Sequence, residues 1–500
     1  MDPSLTPVDR HSPLFQPDRN CWRIETANRF AFIVDAEDYF KVVRAAMLNA
    51  RQSIFLIGWD FDTRIQLQSG QSDEGPQNLG DFFLWLVKRT PDLNIRLLRW
   101  DTGAFKAIFR GNTFATVLRW KAHPRITLKL DGAHPVAASH HQKIVVIDDT
   151  LAFCGGIDLT SERWDRRDHA DADPGRRRPD GAPYSPWHDA TSALDGPAAK
   201  AMGDLARERW HLATGEDLKP IACGTDPWPA DLEPTFQRVE LGIARTIPKM
   251  EDQAGIHEIE QMYLDLIASA KRYIYAESQY FASRKIARAI AQRLSEPDGP
   301  EIVVINPKTA EGWLEPIAMD SARARLVEAL ERIGKHRRFR LYYPQTAGGT
   351  PIYVHAKVLI VDDQWLRVGS SNFNNRSMRL DTECDVVVAA GQPGADSIHT
   401  TIGGLRNDLL AEHLDADAKT VAATLQQTRS LIDTIDTLRK SGRTLVPYTI
   451  PELGDTEAWL ADNEILDPEG PDQIFEPLSR RGLFRKWRRT FGRQPSSTDR

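Results

Sequence analysis

The chain has no apolar run approaching the roughly 18–20 residues that a membrane-spanning helix needs, so no helical span is expected. Cysteine is scarce. Cys21, Cys154, Cys223 and Cys384 are widely scattered, lack metal-ligand spacing and are too few for a disulfide scaffold. They read as reduced thiols, with a cytoplasmic location expected. Positive charge is not in excess: the formal net charge of −6 argues against general nucleic-acid binding, while leaving local patches open. The first twenty residues contain three acidic side chains and no apolar core, unlike a secretory leader. No His/Cys/carboxylate spacing suggests a metal centre, and no cofactor is expected.

What is present is a repeat. His141-Gln142-Lys143 runs into IVVIDD and then Gly155-Gly156-Ile157-Asp158; His355-Ala356-Lys357 runs into VLIVDD and then Gly369-Ser370-Ser371-Asn372, 214 positions later. Both copies read H-x-K, four residues, D, six residues, G-[GS]-x-[DN]. The similarity extends outward. Ala50–Phe61 (ARQSIFLIGWDF) aligns with Ala270–Phe281 (AKRYIYAESQYF), and Asn94–Trp100 aligns with Glu301–Pro307. Each is a β-branched and aromatic run that reads as a strand. The repeat is far longer than a solenoid unit and predicts two similar α/β halves.

A loose lead-in is expected over 1–27, a first half over 28–215 and a second over 235–415. The Pro-rich 215–234 would divide them, and 416–500 would carry a C-terminal helix and a basic tail. Within the halves, periodicity predicts strands over 28–35, 125–130, 238–245 and 381–390. Helices are expected over 36–51, 81–90, 105–122, 198–214, 256–270, 400–414 and 418–441. The polar Arg163–Ser185 is long enough to be functional or mobile; its Arg176-Arg177-Arg178 reads as a solvated run or a head-group contact. In Ser479–Arg493 (SRRGLFRKWRRTFGR), Phe484, Trp487 and Phe491 would share one helical face with basic flanks. That pattern suits an interfacial membrane helix; a disordered basic tail is the alternative.

On an extended backbone the His and Lys of each motif share a face. A neutral imidazole beside a fixed ammonium suits phosphate chemistry. The Lys offsets phosphoryl charge, and the His serves as nucleophile or general acid. Asp148 and Asp362 lie seven residues on, roughly 23 Å along a strand at ~3.3 Å per residue, and are expected to be structural, held by a buried Arg or backbone N–H groups. A catalytic His needs an orienting partner. Asp189, in Trp187-His188-Asp189, and Glu383, eleven residues after Asn372, are the candidates. For the His355 half the working carboxylate is read as Glu383. His188, facing away from Asp189, is read as structural. Trp59 and Gln279, equivalent in the two repeats, are read as core or site lining.

The doubled motif resembles the phospholipase D superfamily, as do PWHD at Pro186–Asp189, YIYAESQYF at Tyr273–Phe281, and GSSNFNNRSM running into DTECD. The resemblance implies two halves, each a mixed sheet flanked by helices, packed with pseudo-two-fold symmetry around one site. It also implies a covalent phosphatidyl-histidine, with His141 as nucleophile and His355 as general acid and then base. The symmetry of the sequence itself leaves the two histidines interchangeable. Lys143 and Lys357 would bind phosphate with Asn372 and Ser370. Asp158, at the position matching Asn372, would join them, although an acid beside phosphate needs a hydrogen bond or a proton. Asp189 and Glu383 match the His partners, and no metal is implied. Expected partners are a glycerophospholipid at a membrane surface and a water or alcohol acceptor, with peripheral membrane association and no nucleic acid. Cardiolipin synthase-type transfer and nucleic-acid phosphodiester cleavage are the alternatives. The oligomeric state is not set by the sequence, and a monomer suffices.

Overall fold

The computed structural model describes residues 14–451, apart from 69–73, 102–112, 136–137, 223, 225, 251–252, 311–318, 334–336 and 391–395. The basic tail therefore lies outside the described residues. The first half supplies β1 (Arg23–Val34), β2 (Ser53–Gly58), β3 (Asn94–Trp100), β4 (Ile126–Asp131), β5 (Ile144–Ile147), β6 (Leu151–Gly155), β7 (Trp187–His188) and β8 (Ala190–Asp195). The second supplies β9 (Phe236–Ile247), β10 (Ile256–His257), β11 (Tyr273–Glu277), β12 (Glu301–Ile305), β13 (Phe339–Gln345), β14 (Tyr353–Val354), β15 (Val358–Val361), β16 (Trp365–Gly369), β17 (Glu383–Ala389) and β18 (Thr444–Pro447).

One sheet runs β18-β13-β12-β11-β15-β16-β17-β9-β1-β8-β6-β5-β2-β3-β4. Apart from β18, this order is a mirror about the antiparallel β1–β9 pair: each half repeats the same seven-strand sequence outward from the centre. The first half contributes α1 (Ala36–Asn49), α2 (Leu79–Arg89), α3 (Thr113–Lys121) and α4 (Pro197–Thr214). The second contributes α5 (Glu258–Ser269), α6 (Arg284–Ser295), α7 (Ser321–Ile333), α8 (Asp396–Leu414), α9 (Ala418–Thr428) and α10 (Leu431–Leu438).

Burial explains the strand chemistry. Val145 and Ile147 face a core shared with α1 and α2, while Ile144 and Val146 face one shared with α4. A strand buried on both faces carries an unbroken apolar run. The α4 and α8 core takes side chains from both halves, including Ile57, Leu205, Val358 and Leu410. Separate outer cores lie under α1–α2 and under α5–α6. The sheet curves enough to bring β6 and β17 together across the shared core, where Cys154 Sγ sits 3.5 Å from the Cys384 carbonyl oxygen.

Some boundaries differ from expectation. β1 begins at Arg23, inside the expected lead-in, because Arg23–Ala27 pairs with Val239–Ile243 in the middle of the sheet. Phe15 and Cys21, earlier still, are buried. α2 starts at Leu79 because the Asn78 side chain caps the Asp81 N–H. Of the helix expected over 105–122, residues 113–121 are helical and 105–112 lie outside the described residues. The single helix expected over 418–441 is two: Arg429 turns left-handed (φ 58) and Ser430 caps a new start. β18 then returns to pair with β13, tying the C-terminal segment to the second half.

Candidate active site

Each motif histidine lies just before a hairpin, β5–β6 or β15–β16, and the residues after the hairpin's first strand lock it in place. Asp148 and Asp362 turn left-handed (φ 52 and 53), a conformation Asp tolerates better than most non-glycine residues. Asp148 accepts the backbone N–H groups of Arg51, Gln52 and Ser53 at 2.7–2.8 Å. Asp362 accepts those of Lys271, Arg272 and Tyr273 at 2.5–2.9 Å. Both carboxylates fasten the helix-to-strand corner before β2 or β11. Backbone N–H groups hold both, as one of the two expected arrangements.

The histidine partners cross between halves. His141 Nδ1 is 3.0 Å from both oxygens of Glu383, and His355 Nδ1 is 2.6 Å from Asp189 Oδ2. Glu383, expected to serve His355 of its own half, serves His141 instead, and His355 takes Asp189. The cause is main-chain zipping. His141 N–H donates to Thr382 O at 2.9 Å, and Thr382 N–H returns to Ser139 O at 2.9 Å. His355 N–H donates to His188 O at 2.7 Å, and β14 pairs in parallel with β7. Each motif is stitched to the carboxylate-bearing segment of the opposite half.

The lysines differ. Each ammonium donates to the carbonyl of its own motif histidine. Lys143 also pairs with Asp158 Oδ2 at 3.2 Å, while Asp158 Oδ1 accepts the Trp59 N–H at 3.1 Å. Asp158 is thus engaged with the lysine, not arranged as a phosphate donor. Lys357 instead meets the Gln279 amide oxygen at 3.4 Å, which also accepts from the Asn372 amide at 3.4 Å. Burial, with Lys143 and Arg163 nearby and Asp189 opposing, pulls the Lys357 ammonium down to about 7.

Burial likewise lowers both histidines well below the ordinary imidazole range, reinforced by Lys143 and Lys357 at His141 and by Lys357 and Arg163 at His355. Burial pushes the Glu383 carboxyl up to about 8, against Lys143 and the hydroxyls of Ser370 and Ser377 that donate to it. Ser370 therefore serves the carboxylate, not an open phosphate position. Neutral imidazoles that line one cleft, each with Nδ1 turned to a carboxylate, can attack phosphorus or, once protonated, return a proton.

The cleft, about 340 Å³, is lined by His141, His355, Asp158 and Asn372. Trp59 and Trp100 stack at 5.8 Å on its wall, and Gln279 lines it too. Arg163 lies over the Trp187 ring, 4.2 Å from its centroid. Arg163, Trp100 and Ser377 also line the cleft, beyond the site residues expected from sequence. Ser377 lay within the GSSNFNNRSM stretch that carried the resemblance, so a signal existed. Arg163 opens the polar insertion and had none. In that insertion Arg176 is buried against Asp165 Oδ1 at 3.0 Å, so of the three arginines only Arg177 and Arg178 are exposed.

Comparison with known proteins matches this duplication. The family described as "Phospholipase D" matches residues 46–226, and the one described as "Cardiolipin synthase, PLD-like domain" matches 263–399. The chain belongs to the phospholipase D superfamily. Phospholipase D alpha 1 of Nicotiana tabacum is 25% identical over 74% of this chain and 63% of its own length. Phospholipase D1 of Saccharomyces cerevisiae is 24% identical over 84% of this chain and 31% of its own. The chain thus spans between about a third and just under two thirds of these relatives. A phosphatidylserine synthase of Haemophilus influenzae superposes with a TM-score of 0.52 at 14% identity, over 83% of this chain and 96% of that one. This superfamily fold has two similar halves, each a mixed sheet flanked by helices.

Proposed function

We propose that this chain cleaves the distal phosphodiester of glycerophospholipids, releasing phosphatidic acid and the head-group alcohol, and transfers the phosphatidyl group when an alcohol replaces water. The carrying observation is the pair of crossed His–carboxylate contacts opening on one cleft, with each motif lysine held on the carbonyl of its own histidine. His141 is the nucleophile. Its side chain is 16% exposed against 6% for His355, so it is the more reachable ring.

Glu383 holds the His141 Nδ1–H so that Nε2 presents its lone pair to phosphorus. A P–N bond forms as the P–O bond to the head group breaks, and the leaving oxygen takes the Nε2 proton of His355, which enters this step as the imidazolium and leaves it neutral. His355 then removes a proton from water or an alcohol, whose oxygen attacks phosphorus and breaks the P–N bond. Asp189 stabilises the His355 imidazolium in both steps. Lys143, Lys357 and the Asn372 amide offset charge on the phosphoryl oxygens. The chain's own groups supply every proton transfer. A peripheral approach to the membrane through the aromatic-basic segment 479–493 fits such a substrate, at about 1 kcal/mol per well-placed basic residue on anionic lipid.

A transferase reading is favoured by the second-half match to a cardiolipin synthase-type domain. Incubation with mixed phospholipid vesicles, with and without a primary alcohol, tests the proposal. Phosphatidic acid and phosphatidyl-alcohol are the expected products. Absence of both overturns it, and cardiolipin from phosphatidylglycerol as sole lipid would favour the synthase reading.

A further inference from the structure

Behind Asp189, away from the cleft, four buried side chains converge from four segments: Asp35 after β1, His169 in the polar insertion, His188 in β7 and Glu412 in α8. Their facing atoms form a compact polyhedron. His169 Nε2 is 3.1 Å from Glu412 Oε1 and 3.6 Å from Asp35 Oδ2. His188 Nδ1 is 2.8 Å from Glu412 Oε1 and 3.3 Å from Asp35 Oδ1. Nitrogen and oxygen ligands about 2.1 Å from a tetrahedral centre lie about 3.4 Å apart. Asp35 Oδ2 is fully buried without a hydrogen-bond partner among the described residues.

The outer contacts match those of metal-binding histidines, which hold their remote ring nitrogen on a carboxylate. His169 Nδ1 is 3.0 Å from Asp165 Oδ2, and His188 Nε2 is 3.0 Å from Glu277 Oε2. Arg167 Nε donates to the outer oxygen of Glu412 at 2.5 Å.

We propose that Asp35, His169, His188 and Glu412 bind one structural divalent ion of the zinc class. Two imidazoles with two carboxylates suit zinc over calcium or magnesium, which take oxygen ligands. With four protein ligands and no open position the ion is structural, not catalytic. It clasps the polar insertion and α8 to β7, whose His188 carbonyl accepts the His355 N–H. The sequence concealed the site because its ligands are up to 377 positions apart.

The test is the metal content of the untagged full chain, independent of any lipid assay. Elemental mass spectrometry of protein purified in metal-depleted buffer should give close to one zinc per chain, unchanged in His141→Ala. Stripped protein given cobalt should take up one equivalent with visible tetrahedral ligand-field bands, and those bands should be lost in His169→Asn and in Asp35→Asn. Removal of the ion should lower Tm, and restoring zinc should recover it. No ion in the isolated protein, together with no zinc or cobalt uptake after stripping, would overturn the proposal. Uptake unaffected by both ligand variants would overturn it equally.

Discussion

The two halves share a sheet order, a hairpin and an aspartate clamp, yet they treat their lysines and histidines differently. In the first half an acidic side chain sits on the motif lysine: Asp158 pairs with Lys143. In the second the equivalent position is Asn372, and Lys357 meets amide and carbonyl oxygens only among the described residues. The histidine supports are also unequal. Glu383 is held by two serine hydroxyls, Ser370 and Ser377, while Asp189 accepts the Ala190 N–H at 2.8 Å. Duplication preserved the clamps that shape the backbone and let the reacting groups diverge. That is expected if one histidine must attack phosphorus and the other must carry a proton.

The largest break in this comparison comes from the histidines. His141→Ala and His355→Ala should each lower turnover by at least about 10³-fold. Only the His355 variant should accumulate acid-quenched protein carrying a phosphatidyl group, measured with labelled lipid. Label on the His141 variant would reverse the roles.

The carboxylates come next, at roughly 10²–10⁴-fold each, and they test the crossing. Asp189→Asn should resemble His355→Ala by retaining label, and Glu383→Gln should resemble His141→Ala by failing to form it. In double variants, His141 with Glu383 and His355 with Asp189 should be non-additive, and same-half pairs should be nearer additive. The opposite pattern would restore the same-half pairing.

A third test uses pH. The folded Glu383 carboxyl titrates at about 8 against an ordinary 4.5. A raised carboxyl favours its neutral form in the fold. Its stabilising contribution is complete below about 4.5 and is lost as pH rises through about 8. Glu383→Gln should therefore show a flatter Tm profile than the parent chain over that window. Parallel profiles would show that the pair stays ionised.

The smallest effect is expected from Asp158→Asn, which gives the first half the second half's residue. Freed of its carboxylate, Lys143 should bind phosphate more strongly. KM should shift by less than about tenfold, with little change in label formation.

Much of the fold was legible because both motif strands are buried on two faces and therefore read as continuous apolar runs, in duplicate. The clamps were legible as non-reacting groups from strand length alone. The crossed partners were not. Asp189 and Glu383 lie at matching places in their own halves, and only the main-chain bonds from His141 to Thr382 and from His355 to His188 send each histidine across. The insertion was also opaque. Its polar composition reads as a solvated loop, yet His169 and Arg176 are buried by carboxylates arriving from 165 and 412. β1 was clipped at residue 28 because Arg23–Ala27 alternates weakly in polarity, and its pairing is with a strand more than two hundred positions away.

The β1–β9 seam has a further meaning. Because each histidine borrows its carboxylate from across it, neither half holds one finished reacting group. The chain is in effect a dimer whose subunits are joined in one polypeptide. Expressed alone, either half should be inert whatever its stability. Supplied as two separate polypeptides, the halves should regain activity only by finding one another, with a rate that depends on the concentration of both.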